Sequence, residues 1–173
     1  DTSSYTAIIE VSLNKTTNAL ESKVTYQKND EDATAIEFVN QYTTPGTLNV
    51  PIVGTKELTG GGKTDADIEA GQFAFTITEG IGNDTTGYIG VPTGEIPVKA
   101  GGAISFGSIN FSKPGTYTFI LREVDKGVAG YTYDPQPVTV TVTVQLNFIT
   151  NILEHPITYS KFGSSTSNAK FEN

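Results

Sequence analysis

Cysteine, methionine and tryptophan are absent from the 173 residues, and there is one histidine. Without cysteine the chain can build no disulfide, no thiolate nucleophile and no Cys-based zinc site. A single histidine cannot make a His-rich metal cluster. His155 stands beside Pro156 and no G-x-S-x-G motif occurs, so a Ser-His-Asp triad has no basis and His155 reads as a loop residue. Basic residues are few, with 11 Lys+Arg against 19 Asp+Glu and a formal net charge of -8. Such a balance repels nucleic acid and anionic lipid. No run approaches the about 18 apolar residues of a membrane span, and there is no signal peptide. The chain therefore reads as a soluble excised piece or a mature ectodomain. If it is extracellular, something other than disulfides must stabilise it.

What is present points to strands. Hydrophobic residues make up 36%, and 18 Gly and 8 Pro punctuate stretches rich in Thr, Val, Ile, Phe and Tyr. Those residue types suit a pleated, half-buried surface. Period-2 alternation predicts strands at residues 5–13, 23–27, 35–39, 47–58, 71–78, 103–111, 115–124, 138–147, 157–160 and 169–173. Turn chemistry such as Gly60-Gly61-Gly62, Lys113-Pro114-Gly115 and Gly163-Ser164-Ser165 separates them. Short strands at this spacing predict an all-β sandwich with Greek-key connections. Residues 85–99, broken by two prolines, read as a long irregular connection.

An internal repeat organises the chain. Residues 1–40 align with 134–173 without a gap. Identities include Asp1/Asp134, Val11/Val144, Leu13-Asn14/Leu146-Asn147, Thr17-Asn18/Thr150-Asn151 and Leu20-Glu21/Leu153-Glu154. They continue with Thr25-Tyr26/Thr158-Tyr159, Lys28/Lys161, Phe38/Phe171 and Asn40/Asn173. The expected organisation is the C-terminal strands of a preceding, incomplete repeat domain (1–40), a linker (41–46) and a complete domain (47–173). Residues 1–40 lack front strands of their own and would expose unpaired edges.

Three polar residues break the pattern of the complete domain. Leu48, Val50, Ile52, Gly54, Lys56 and Leu58 share a strand face, because side chains alternate with period 2. Tyr117, Phe119, Leu121 and Glu123 share another, as do Ala169, Phe171 and Asn173. A lone Lys or Glu near a strand end ordinarily reaches solvent. Three inward polar groups, on the first, a middle and the last strand, instead predict one site. Burial disfavours the charged forms, so the expectation is that Lys56 acts as a neutral nucleophilic amine with Glu123 as its acidic partner. The amine would attack the Asn173 side-chain carbonyl, Glu123 would polarise that carbonyl and shuttle protons, and ammonia would leave. The product is an isopeptide crosslink that needs no cofactor, since the fold supplies proximity and desolvation.

At these residues the chain resembles a known family. Lys56-Glu57-Leu58-Thr59-Gly60 resembles a "K-x-L-x-G" opening strand, and Gly71-Gln72-Phe73-Ala74-Phe75 a "G-x-F-x-F" strand. Gly115-Thr116-Tyr117-Thr118-Phe119, followed by Glu123, resembles the segment carrying an acidic catalyst, and Phe171-Glu172-Asn173 a closing "F-x-N" strand. Together they are similar to the streptococcal pilus-shaft (T-antigen, FctA-like) domains, relatives of the Ig-like CnaB type. The resemblance implies an Ig-like (CnaB-type) sandwich with an autocatalytic Lys56–Asn173 isopeptide bond assisted by Glu123. It implies that Asn40 is the acceptor of the preceding copy, and that the protein is a structural stalk or pilus-backbone part on a Gram-positive cell surface rather than an enzyme. Its partners would be neighbouring repeat domains, with strand exchange through residues 1–40 open as a further contact.

Two other readings can be set beside this one. An adhesin module could recognise a host glycan or protein through residues 80–99, where Tyr88 lies. A glycosidase would need two carboxylates converging on a cleft, and no such pair stands out. Asp65-Ala66-Asp67-Ile68-Glu69 lacks the glycine and later glutamate of an EF-hand and reads as a solvated turn.

Overall fold

The computed structural model describes residues 2–39 and 43–173. It divides into two units, Asp1–Thr43 and Thr44–Asn173.

Unit 1 is a three-stranded antiparallel sheet of β1 (Tyr5–Asn14), β2 (Ala19–Lys28) and β3 (Glu31–Ala33), in that order. The β1–β2 ladder runs unbroken from Tyr5↔Lys28 to Asn14↔Ala19. Its turn is built locally. Asn14 Oδ1 accepts from Thr16 N at 2.9 Å and Thr17 N at 3.2 Å, and Asn18 takes the left-handed conformation at φ 55°, which Asn tolerates better than most residues. A two-residue turn at Asn29 and Asp30, both with positive φ, leads into β3. The strand predicted at 35–39 does not form. Residues 34–39 are a bend and irregular chain, and among the described residues of the unit the strands that pair are β1, β2 and β3. Tyr5 contacts this segment: its ring packs edge-on against Phe38 at 5.0 Å, and its hydroxyl donates to the Glu37 carbonyl at 2.5 Å.

Unit 2 is an all-β, Ig-like sandwich of two sheets. One sheet joins β13 (Ser164–Thr166), β12 (Ile157–Lys161), β10 (Val138–Asn147), β9 (Gly115–Glu123), β5 (Ala74–Glu79) and β7 (Ile96–Pro97), with β11 (Ile152–Glu154) also on β10. The other holds β14 (Ala169–Glu172), β4 (Leu48–Glu57), β8 (Ala103–Phe111) and β6 (Tyr88–Ile89). Alternation decides which face is buried. Val50, Ile52, Lys56 and Leu58 of the first strand face Phe75, Phe119, Leu121, Val140 and Val142 in one core. Short 3-10 turns at Asp65–Asp67 and Ala100–Gly102 are the helical elements among the described residues. No helix there is long and apolar enough to cross a membrane.

Seven of the predicted strands, β1, β4, β8, β9, β10, β12 and β14, lie within a residue of their expected bounds. The stretch predicted as an irregular connection at 85–99 contains β6 and β7, which pair with different sheets. It is a crossing between layers, and Tyr88 is buried against Phe111, Tyr117 and Phe119. Asp65 and Asp67 serve as turn caps, accepting from Leu58 N and Thr64 N at 2.8 Å each.

The last strand, β14, runs parallel to the first, β4, with Phe171 opposite Lys56. Such proximity requires glycine at 54, since a Cβ there would sit 2.7 Å from the Ala169 carbonyl oxygen. Beyond the strand ends the pairing continues: Asn173 N donates to Glu57 O at 3.1 Å, and Thr59 N to Asn173 O at 2.9 Å.

Candidate functional site

Lys56 is 1% exposed and occupies the last inward position of β4, on the apolar face of Val50 and Ile52. Its backbone is covered by Gly102, where a Cβ would come within 2.2 Å of the Lys56 carbonyl oxygen. Its Nζ lies 5.0 Å from the centre of the Phe73 ring, a cation–π geometry. Tyr131 and Tyr133 stack edge-on against that same ring. An aromatic shell of this kind excludes water from the amine.

The amine has two polar neighbours. It donates to Glu123 Oε2 at 2.8 Å and to Asn173 Oδ1. The side chains of Lys56 and Glu123 are both fully shielded from solvent. Glu123 closes β9 on the inward face begun by Tyr117 and Phe119, and Asn173 follows β14 on the inward face of Ala169 and Phe171. The structure therefore brings together the three residues singled out in the sequence, from the first, a middle and the last strand. Asn40 lies outside the described residues.

Burial lowers the Lys56 pKa below its ordinary value; the hydrogen bond and charge of Glu123 oppose that shift without cancelling it. The amine is thus easier to deprotonate than a surface lysine. Two atoms beside it, Glu123 Oε1 and Asn173 Nδ2, are buried without a hydrogen-bond partner. An unsatisfied buried amide is costly. Here it belongs to the group that would leave in an aminolysis.

Two further residues complete the polar cluster, and neither was assigned a role from the sequence. Asp134 N donates to Glu123 Oε2 at 2.8 Å, the oxygen that also accepts from Lys56. The Asp134 carboxylate pairs with Lys161 Nζ at 2.5 Å. Burial pushes the Asp134 carboxyl up, but the Lys161 ammonium and the backbone N–H groups of Glu172 and Gln136 outweigh it and hold the group below its ordinary value. The signal for both was in the repeat, where Asp1/Asp134 and Lys28/Lys161 are identities. Alternation could not flag them, because Asp134 lies in a loop and Lys161 ends a strand.

His155 is half-buried at the break between β11 and β12, away from this cluster. Among the described residues no group of three His, Cys, Asp or Glu side chains could hold a metal ion.

The family model described as FctA, Spy0128-like isopeptide containing domain, matches residues 52–173. Among solved structures, the major pilin from Streptococcus pyogenes is similar over 72% of this chain and 49% of its own length, at 20% identity and a TM-score of 0.46. The T-13 major pilin protein from Streptococcus pyogenes is similar over 75% of this chain and 53% of its own, at 21% identity and a TM-score of 0.40. The chain spans about half the length of the pilins it matches. No curated protein sequence matches it.

Proposed function

The chain belongs to the family of Spy0128-like isopeptide containing domains, and from that premise we propose that residues 47–173 are a self-crosslinking structural domain in which Lys56 and Asn173 join with the help of Glu123. The domain is not an enzyme; the chemistry is one turnover upon itself. The observation that carries the reading is the contact of one buried amine with both a carboxylate and a carboxamide.

A proton on Lys56 passes to Glu123 along their 2.8 Å hydrogen bond, leaving a neutral amine. The Nζ lone pair attacks Asn173 Cγ while the protonated Glu123 hydrogen-bonds the carbonyl oxygen and stabilises its developing charge. The remaining excess proton on Nζ is relayed through Glu123 to Nδ2. The Cγ–Nδ2 bond breaks, the Nζ–Cγ amide remains, and one ammonia leaves. A cavity of about 420 Å³ beside Asn173, lined by Thr59, Gly60 and Tyr131 among others, offers ammonia a way out. Proximity and desolvation replace a cofactor.

The bond would close a loop spanning 117 positions. By analogy with disulfide loop entropy this stabilises by about 4–5 kcal/mol. Its mechanical effect is larger. Because β4 and β14 are parallel neighbours, tension entering at Leu48 would pass through nine residues of β4 and the crosslink to Asn173, leaving the interior unstretched. That property suits a stalk or pilus shaft of a secreted Gram-positive surface protein, with neighbouring repeat domains or subunits as partners. Residues 1–40 fit the closing strands of a preceding copy, with Asn40 as its acceptor and strand exchange as a possible contact between chains.

Intact-protein mass tests the reading. The chain is expected to weigh one ammonia less than its sequence, with a fragment linking Lys56 to Asn173, and Glu123→Ala to restore the full mass. An unmodified wild-type mass sinks the proposal. A covalent dimer on a denaturing gel, its fragments joining Lys56 of one chain to Asn40 of another, is the outcome expected of strand exchange.

A further inference from the structure

We propose that Asp134 and Lys161 are positioning residues for the crosslink: a buried ion pair that grips the free edge of β14 and presents Asn173 to Lys56. The inference rests on the reading of Lys56, Glu123 and Asn173 given above.

Asn173 follows a strand of four residues at the edge of its sheet. On one side β14 pairs with β4. Within a strand, successive peptide groups point to opposite sides. Asn173 N points to β4, where it donates to Glu57 O, so the peptide groups of Lys170 and Glu172 face the other way. An edge strand so short would ordinarily leave those groups to water. Here the ion pair takes the place of a neighbouring strand. Lys161 Nζ donates to Lys170 O at 3.0 Å, and Glu172 N donates to Asp134 Oδ2 at 3.0 Å. The two bonds flank Phe171, the residue directly opposite Lys56 in the ladder. A slip of β14 by even one residue would break both and move Asn173 away from the amine.

Asp134 also reaches the acid. Its backbone N–H donates to the Glu123 oxygen that Lys56 bonds. Its own side chain is set by Gln136 N, which donates to Asp134 Oδ1 at 3.1 Å within the stiff Asp134-Pro135-Gln136-Pro137 segment. One residue therefore holds the acid through its main chain and the acceptor strand through its carboxylate.

Plain stabilisation explains such a pair poorly. Its side chains are only 13% and 6% exposed, and desolvating two charges offsets most of what their attraction gains. Buried ionic groups are better attested as devices that fix register. The repeat agrees. The Asp and Lys recur as Asp1 and Lys28 together with Phe38 and Asn40, whereas Lys170 and Glu172 are replaced by Glu37 and Val39. What recurs in the sequence is the Asp, the Lys, the Phe and the Asn, while the positions alternating with Phe and Asn change.

The test follows bond formation in the full chain, pulse-labelled during cell-free synthesis and quenched in denaturant at intervals, with loss of one ammonia as the signal. Asp134→Asn and Lys161→Met are expected to slow it about 10- to 100-fold, the scale of a small misplacement of reacting groups. Lys161→Arg, which keeps charge and donors, is expected to restore a rate within about threefold of wild type. Asp134→Asn is nearly isosteric and carries the test alone if Lys161→Met does not fold. Leu153→Ala, in the core away from the cluster, is the control for simple destabilisation, with melting temperatures compared in a Glu123→Ala background. If Leu153→Ala slows the reaction as much as the clasp variants at equal loss of melting temperature, the positioning role is overturned. Wild-type rates in Asp134→Asn overturn it too while leaving the crosslink intact. A wild-type chain that never loses ammonia instead removes the underlying reading.

Discussion

The two ends of the chain run the same local program to opposite results. β1 and β2 repeat the register of β10 with β11 and β12: Thr6↔Gln27 and Asn14↔Ala19 correspond to Thr139↔Ser160 and Asn147↔Ile152. Their turns match atom for atom. Asn147 Oδ1 accepts from Ile149 N and Thr150 N as Asn14 does from Thr16 N and Thr17 N, and Asn151 shares the φ of 55° with Asn18. The environments differ completely. Val11, Leu20 and Phe38 are 63%, 74% and 59% exposed, whereas Val144, Leu153 and Phe171 are 2%, 3% and 0% exposed. Hairpin geometry is therefore encoded within about 25 residues, and burial is not. A second difference has a covalent cause. The β10 partner strand is split where His155-Pro156 stands in place of Ser22-Lys23, because Pro156 has no N–H to give to the ladder.

Removing the proposed bond should separate the two units most. Lys56→Ala or Asn173→Ala should abolish the ammonia loss and cost about 4–5 kcal/mol, a fall of about 15–20 °C in the melting temperature of unit 2 by calorimetry. Unit 1, to which neither Lys56 nor Asn173 belongs, should be unaffected. Truncating the matched aromatic comes next. In a Glu123→Ala background, Phe171→Ala should cost about 3–5 kcal/mol in denaturant unfolding. Phe38→Ala, at an exposed site, should change the hydrogen-exchange stability of β1 and β2 by less than about 1 kcal/mol. Equal costs at the two positions would mean that unit 1 buries Phe38 against something else in solution.

Smaller effects sharpen the local half of the comparison. Asn18→Ala and Asn151→Ala should each cost about 1–2 kcal/mol and by similar amounts, since both force alanine into the left-handed region. The smallest effect concerns Asp134. Its folded-state pKa is lowered, so its contribution to stability is present above its ordinary value and is lost as pH falls through the folded value. In the crosslink-free background, the melting temperature of unit 2 should therefore drop below about pH 4 more steeply than in Asp134→Asn. Parallel acid profiles would show that the pair does not titrate as a unit with folding.

Strand faces were largely legible before the structure. The inward positions of Lys56, Glu123 and Asn173 follow from counting by two along uninterrupted strands. So does the core stripe of Tyr117, Phe119 and Leu121. The strand expected at 35–39 failed for a reason no local pattern contains: Ile36 and Phe38 alternate correctly, but among the described residues no strand pairs with that segment. Tyr88 was misplaced in the other direction, because a residue in a proline-broken stretch showed no periodicity although the short strand β6 carries it into the core.

Which residues alternate, where the hairpins turn and that disulfides are excluded as the covalent staple can all be read from the residues in order, because each depends on a side chain and its near neighbours. The parallel placement of the last strand beside the first is a tertiary property. That pairing joins residues far apart in the chain, and it sets one amine against a carboxamide 117 positions away. The same assembly recruits Asp134 and Lys161, whose partners are backbone groups of a strand edge. No spacing rule names such partners, since they exist only once two sheets have closed around them.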